Sequence, residues 1–79
     1  MGVSGSAFFM LHLGKLIQTE LARQERTPIW LARKICCDRT NVHKIFRRAS
    51  LDTALLARIS RALEHNFFED LAEDWRSGE

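Results

Sequence analysis

Seventy-nine residues, 46 % hydrophobic and 28 % charged, allow one small domain with a modest core and exclude a disordered composition. The two cysteines are adjacent, and neighbouring cysteines bridge only with strain, so this is no disulfide scaffold and a reducing cytosol is the expected setting. Net charge is only +2, and no run of twenty apolar residues offers a membrane span, so no membrane partner is expected.

The opening MGVSGSAFFMLHL lacks a basic region and a long apolar stretch and reads poorly as a signal peptide. Residues 1–9, with Gly2, Ser4, Gly5 and Ser6, read as a flexible leader, and 10–79 as a single domain. A first helix is expected over about 13–24, with Leu13, Leu16, Ile17 and Leu21 on one face. A second begins at Thr27, an N-cap, with Pro28 at the first helical position and Leu31, Ala32 and Ile35 inward.

The pattern breaks at Cys36-Cys37, and Asp38 offers the next N-cap. The third helix, about 39–47, turns Val42, Ile45 and Phe46 inward and leaves Arg39, Thr40, His43, Lys44 and Arg47 outside. After the linker 48–51, Asp52 caps a fourth helix with Leu55, Leu56, Ile59, Ala62 and Leu63 inward. His65-Asn66 reads as its stop, because Asn tolerates the left-handed conformation. A fifth helix spans about 68–75. Its apolar side, Phe67, Phe68, Leu71, Ala72 and Trp75, either closes the core or serves pairing. No alternating strand pattern or internal repeat is present, so the class expected is all-α, five short helices around one core.

Charge is unevenly spread. From Arg33 to Arg48 six basic residues stand against Asp38, a local +5; from Glu64 onward six acidic residues stand against Arg76, a local −5. Such a molecule attracts phosphate at one face and repels it at the other. A short helix braced by a partner and presenting Arg, Thr, His and Lys outward suits a DNA major groove.

The residues 27–47 resemble the helix-turn-helix of the lambda-repressor-like (Cro/cI-type) transcription regulators. The matching features are Leu31-Ala32, Ile35 three residues later, and Val42 and Ile45 after the turn; 53–63 resembles the family's next helix. The likeness covers roughly residues 13–75. Cys36 replaces the usual turn glycine, Arg48 and Leu51 replace a later glycine and proline, and Arg26 stands at an apolar place, which marks a divergent branch.

The resemblance implies a five-helix DNA-binding domain of bacterial or phage type, acting on double-stranded DNA as a transcription regulator. Arg39, Thr40, His43 and Lys44 are the expected base readers. Pro28, Ile29, Asn41, Arg47 and Arg48 are the expected phosphate contacts. The bare amides that begin the second helix are a further expected phosphate hold. Such proteins often bind pseudo-palindromic sites as dimers, which here would use the C-terminal helix. The alternative is a helical protein-interaction module, antitoxin-like or an adaptor, using that aromatic, acidic helix.

Metal and catalytic chemistry lack a matching pattern. Zinc needs about four ligands, no second pair of Cys or His stands at suitable spacing from Cys36-Cys37, and His12, His43 and His65 fall on separate helices. Cys37 is expected in the core among Leu31, Ile35 and Val42, and Cys36 in the turn with positive φ. No Ser-His-Asp, Cys-His or phosphate-cradling glycine loop appears, so neither an enzyme nor a cofactor is expected.

Overall fold

The computed structural model describes residues 11–77; the expected leader 1–9 lies outside them. Five helices and no strand occur among the described residues: α1 (Leu13–Arg23), α2 (Pro28–Lys34), α3 (Arg39–Phe46), α4 (Thr53–Leu63) and α5 (Phe67–Ser77). The expected all-α architecture is thus present. No helix among the described residues is long and apolar enough to cross a membrane.

Each helix start is closed by a side chain. Thr27 Oγ1 accepts the Trp30 N–H at 3.1 Å, Asp38 Oδ1 that of Asn41 at 2.9 Å, and Asp52 Oδ1 that of Leu55 at 2.8 Å. Each satisfies one donor that the first turn leaves without a helical partner. His12 does the same for α1, its Nδ1 accepting the Lys15 N–H at 3.2 Å.

Three helix ends share one device. The chain turns through a left-handed residue, whose own N–H and that of the residue after it fold back onto the last turn. Glu25 (φ 60°), Cys36 (φ 59°) and Glu64 (φ 55°) hold these positions, and none is glycine. At the end of α2, Cys37 N–H donates to Ala32 O at 2.9 Å. At the end of α4, His65 N–H donates to Ser60 O at 3.0 Å. The stop expected at Asn66 therefore lies two residues earlier, at Glu64. Asn66 instead starts α5, its Oδ1 accepting the Phe68 N–H at 3.0 Å. The fifth helix consequently begins at Phe67 and runs to Ser77, longer than expected.

The core is formed by Leu13, Ile17 and Leu21 of α1, Leu31, Ala32 and Ile35 of α2 and its end, and Val42, Ile45 and Phe46 of α3. Leu56, Ile59 and Leu63 of α4, with Phe67, complete it. The α3 helix packs on α1 and α2, α4 on α2, and α5 on α4. Of the aromatic face on α5 only Phe67 enters the core; Phe68 is 38 % and Trp75 69 % exposed, so the expected closure by Trp75 does not occur. The reason is positional. Phe67 lies at the first turn, against α4, and Trp75 two turns further along, past the packed end.

Helices α1 and α3 meet at a glycine. A Cβ on Gly14 would stand 2.6 Å from the Phe46 carbonyl carbon and closer still to the carbonyl oxygens of Ile45 and Phe46. The absent side chain lets the free amides of α1 reach the chain leaving α3. Leu13 N–H donates to Ala49 O at 3.0 Å and Gly14 N–H to Arg48 O at 2.9 Å. Donors and acceptors that both helix ends leave unmatched are thereby paired.

Two polar ties hold α4. The Arg58 guanidinium donates to the Ile35 carbonyl at the end of α2. Gln24 Nε2 donates to Leu63 O at 2.8 Å and to Glu20 Oε2 at 2.7 Å. Glu20 is only 8 % exposed and is also paired with the Arg23 guanidinium. That pairing, helped by Gln24, holds its carboxyl at about 2, against burial, which acts to raise it.

Candidate functional site

Burial of Val42, Ile45 and Phe46 fixes the rotation of α3 about its axis. At 100° per residue, Thr40, Lys44 and Arg47 then point directly away from the core, with Arg39 and His43 on one flank and Asn41 and Arg48 on the other. All seven side chains are exposed. The structure therefore brings the expected base readers Arg39, Thr40, His43 and Lys44 onto one surface with Arg47.

The two flanks differ. On one, His43 and Arg47 border a groove whose far wall is Lys15 and Gln18 of α1 and its cap His12. The His43 ring stands edge-on to Phe46, centroids 5.8 Å apart. On the other flank, Asn41, Lys44 and Arg48 face Leu55 and Arg58 of α4 across a cleft.

Pro28 and Ile29 are on α2, not on α3. Pro28 is half-buried and Ile29 45 % exposed. The bare amides expected there are fewer than expected. Pro28 has no N–H, and the Trp30 N–H is taken by Thr27, so only that of Ile29 is left in the first turn. Trp30 lies half-buried beneath two cations, the Arg26 guanidinium carbon 4.2 Å and Lys34 Nζ 5.5 Å from its ring centroid. Arg26, at a place expected to be apolar, is accommodated by this stacking.

The basic stretch forms no ion pair among the described residues. Both ion pairs among the described residues, Arg23–Glu20 and His65–Asp70, lie outside it. Asp38, its one carboxylate, is engaged as the cap of α3. Arg39 begins α3, at the positive end of the helix dipole and with no acidic residue in the first turn. A cation is disfavoured there by the helix itself. Arg47, at the other end, is where the dipole favours one.

The thiols separate as the turn geometry requires. Cys36 is exposed and left-handed, as expected. Cys37 is half-buried rather than in the core. It is the residue just after the left-handed one, and its N–H is tied back to Ala32, which holds its side chain at the edge of the apolar cluster. Its Sγ donates to Asp38 O at 3.5 Å, and burial, with Asp38 nearby, pushes its thiol up. Among the described residues no three of His, Cys, Asp and Glu converge on a point where a metal could sit.

Sequence reasoning missed three residues that shape this surface. Gly14 and Arg58 each interrupt an apolar stripe, at spacing three from Ile17 and from Leu55, and that interruption was the available signal. Lys15 carried none, since an exposed lysine on an amphipathic helix is ordinary.

No protein-family model, curated protein or solved structure matches the chain.

Proposed function

We propose that the chain is a sequence-specific DNA-binding transcription regulator with a lambda-repressor-like helix-turn-helix, in which α3 enters the major groove and α2 braces it across the backbone. The observation that carries the reading is the outward face of α3, whose Arg39, His43, Lys44 and Arg47 have no carboxylate partner among the described residues. With its side chains an α-helix is about 10–12 Å across, which fits a major groove about 12 Å wide. A cation held at the unfavourable end of a helix dipole supports a ligand-facing role for Arg39, because local rules are most often broken where function requires it.

Base reading falls to Arg39, Thr40, His43 and Lys44. Arg47 and Arg48 hold phosphate, with Asn41 beside them, and the Ile29 amide next to Pro28 supplies a minor contact. Binding of the whole chain to mixed duplex DNA at low and moderate salt tests this. A steep, salt-dependent loss of affinity is expected; no binding at either salt overturns it.

A second reading has its own observation. Trp75 and Phe68 are exposed on a helix that also carries Glu69, Asp70, Glu73 and Asp74. On that reading α5 is a protein-binding surface, and the chain is an interaction module. Binding to a protein partner that persists in chains lacking the basic face of α3 distinguishes the two.

A further inference from the structure

The cleft on the α4 side of α3 encloses about 420 Å³. Small-molecule sites span roughly 300–1,000 Å³. Its floor is apolar, with Ile45 buried and Leu55 half-buried. Its rim carries Lys44, Arg48 and Arg58, and no carboxylate lines it.

Part of the rim is held in place. Arg58 is anchored through the Ile35 carbonyl, which engages one end of its guanidinium and leaves further donors. The Arg48 main chain is fixed by Gly14. Neither Lys44 nor Arg48 has an ion-pair partner among the described residues. An anion with an apolar body suits such a cleft, its charge meeting the exposed cations of the rim and its body covering the apolar floor.

We propose that this cleft binds a small amphipathic anion, a carboxylate or phosphate monoester attached to an apolar group. The anionic end pairs with Arg48 and Lys44, and the apolar end lies on Ile45 and Leu55. Occupancy neutralises two cations that the DNA reading assigns to the nucleic acid, so the ligand lowers DNA affinity. That coupling rests on the proposed function; the binding itself does not.

The test titrates the full chain by NMR with phenyl phosphate, benzyl alcohol and inorganic phosphate, each without DNA, and separately with duplex DNA. Phenyl phosphate is expected to shift the amides of Asn41, Lys44, Arg48 and Leu55 saturably, and to bind about tenfold more tightly than either other probe, because benzyl alcohol lacks the charge-assisted contact and inorganic phosphate the apolar one. It should also slow alkylation of Cys36, at the cleft wall. Arg48→Gln should weaken phenyl phosphate by a similar factor, with the rest of the spectrum unchanged; if that variant does not fold, Cys36 protection in the native chain decides.

Equal response to inorganic phosphate reduces the effect to a counter-ion cloud and overturns the proposal. An equal response to benzyl alcohol leaves only an apolar hollow and overturns it as well. Shifts that appear with duplex DNA but not with phenyl phosphate assign the cleft to the DNA backbone instead. Failure to bind DNA alongside normal binding of phenyl phosphate sinks the functional reading and spares this one.

Discussion

The N–H of Gly14 donates to the carbonyl of Arg48 at 2.9 Å, joining the first turn of α1 to the residue that leaves α3. Through this bond the basic helix is positioned from its C-terminal side as well as by its packing on α2. Gly14→Ala places a methyl against two backbone carbonyls that cannot rotate away. A loss of about 2–3 kcal/mol is expected, read as a lower urea midpoint at constant slope. An unchanged midpoint would show that the helices can separate freely.

Glu25, Cys36 and Glu64 carry a Cβ in a conformation that costs about 1–2 kcal/mol for an L-residue. Glycine removes that strain and gives back part of it through a freer unfolded chain. Each replacement by glycine should therefore stabilise by about 0.5–1 kcal/mol. The three sites close different helix ends, so the triple variant should approach the sum. Destabilisation at any one would mean that its side chain makes a contact worth more than the strain.

Glu20 makes stability depend on acid. Its carboxyl is held at about 2 in the folded chain, below its ordinary 4.5, chiefly by the hydrogen bond from Arg23. A depressed carboxyl stabilises fully above the unfolded value and loses that contribution as pH falls from about 4.5 towards 2. Because Arg23 is largely exposed, the contribution is on the order of 1 kcal/mol after solvent screening. Glu20→Gln should flatten the stability curve over that window and leave its shape above about pH 5 unchanged. A wild-type curve already flat there would contradict the pairing.

Arg39 and Arg47 should fail differently on DNA. Arg39→Ala is expected to cost about 1–3 kcal/mol on a selected site and to relax sequence preference. Arg47→Ala should weaken all sequences alike and reduce the salt slope by about 1. If Arg39→Ala behaves as Arg47→Ala does, Arg39 touches phosphate and the reading surface must lie further along α3.

One recognition helix reads few base pairs, so useful specificity asks for two copies about one helical turn apart. The exposed apolar side chains of α5 are the proposed contact. Phe68→Ala and Trp75→Ala together should convert a two-copy complex on a selected site into one copy, as measured by sedimentation. An assembly that survives both substitutions places the interface elsewhere; a single copy on a half-site for the native chain removes the dimer altogether.

Short-range chemistry was legible in the chain. The caps Thr27, Asp38 and Asp52 act on an amide three residues away, and the exposed face of α3 follows from a 3.6-residue period. Even the left-handed Cys36 was readable, because a tight turn between two helices demands such a residue. What escaped depends on how helices cross. Gly14 meets α3 some thirty residues away in sequence, and Arg58 meets the end of α2 over twenty residues away. Trp75 was misplaced for the same reason. Periodicity says which side of a helix is apolar, but not how far along it the neighbour extends.

The two tryptophans give the molecule a pair of internal optical reporters. With no tyrosine present, its near-ultraviolet emission comes almost wholly from Trp30 and Trp75. Trp30 is half-buried with Arg26 and Lys34 over its ring, so its indole senses positive charge and a partly dry surrounding. Trp75 faces water at the far end of the chain. A blue-shifted component therefore belongs to α2 and a red-shifted, easily quenched one to α5. Approach of a polyanion to α2 and covering of α5 should register as separate spectral events, without any added dye.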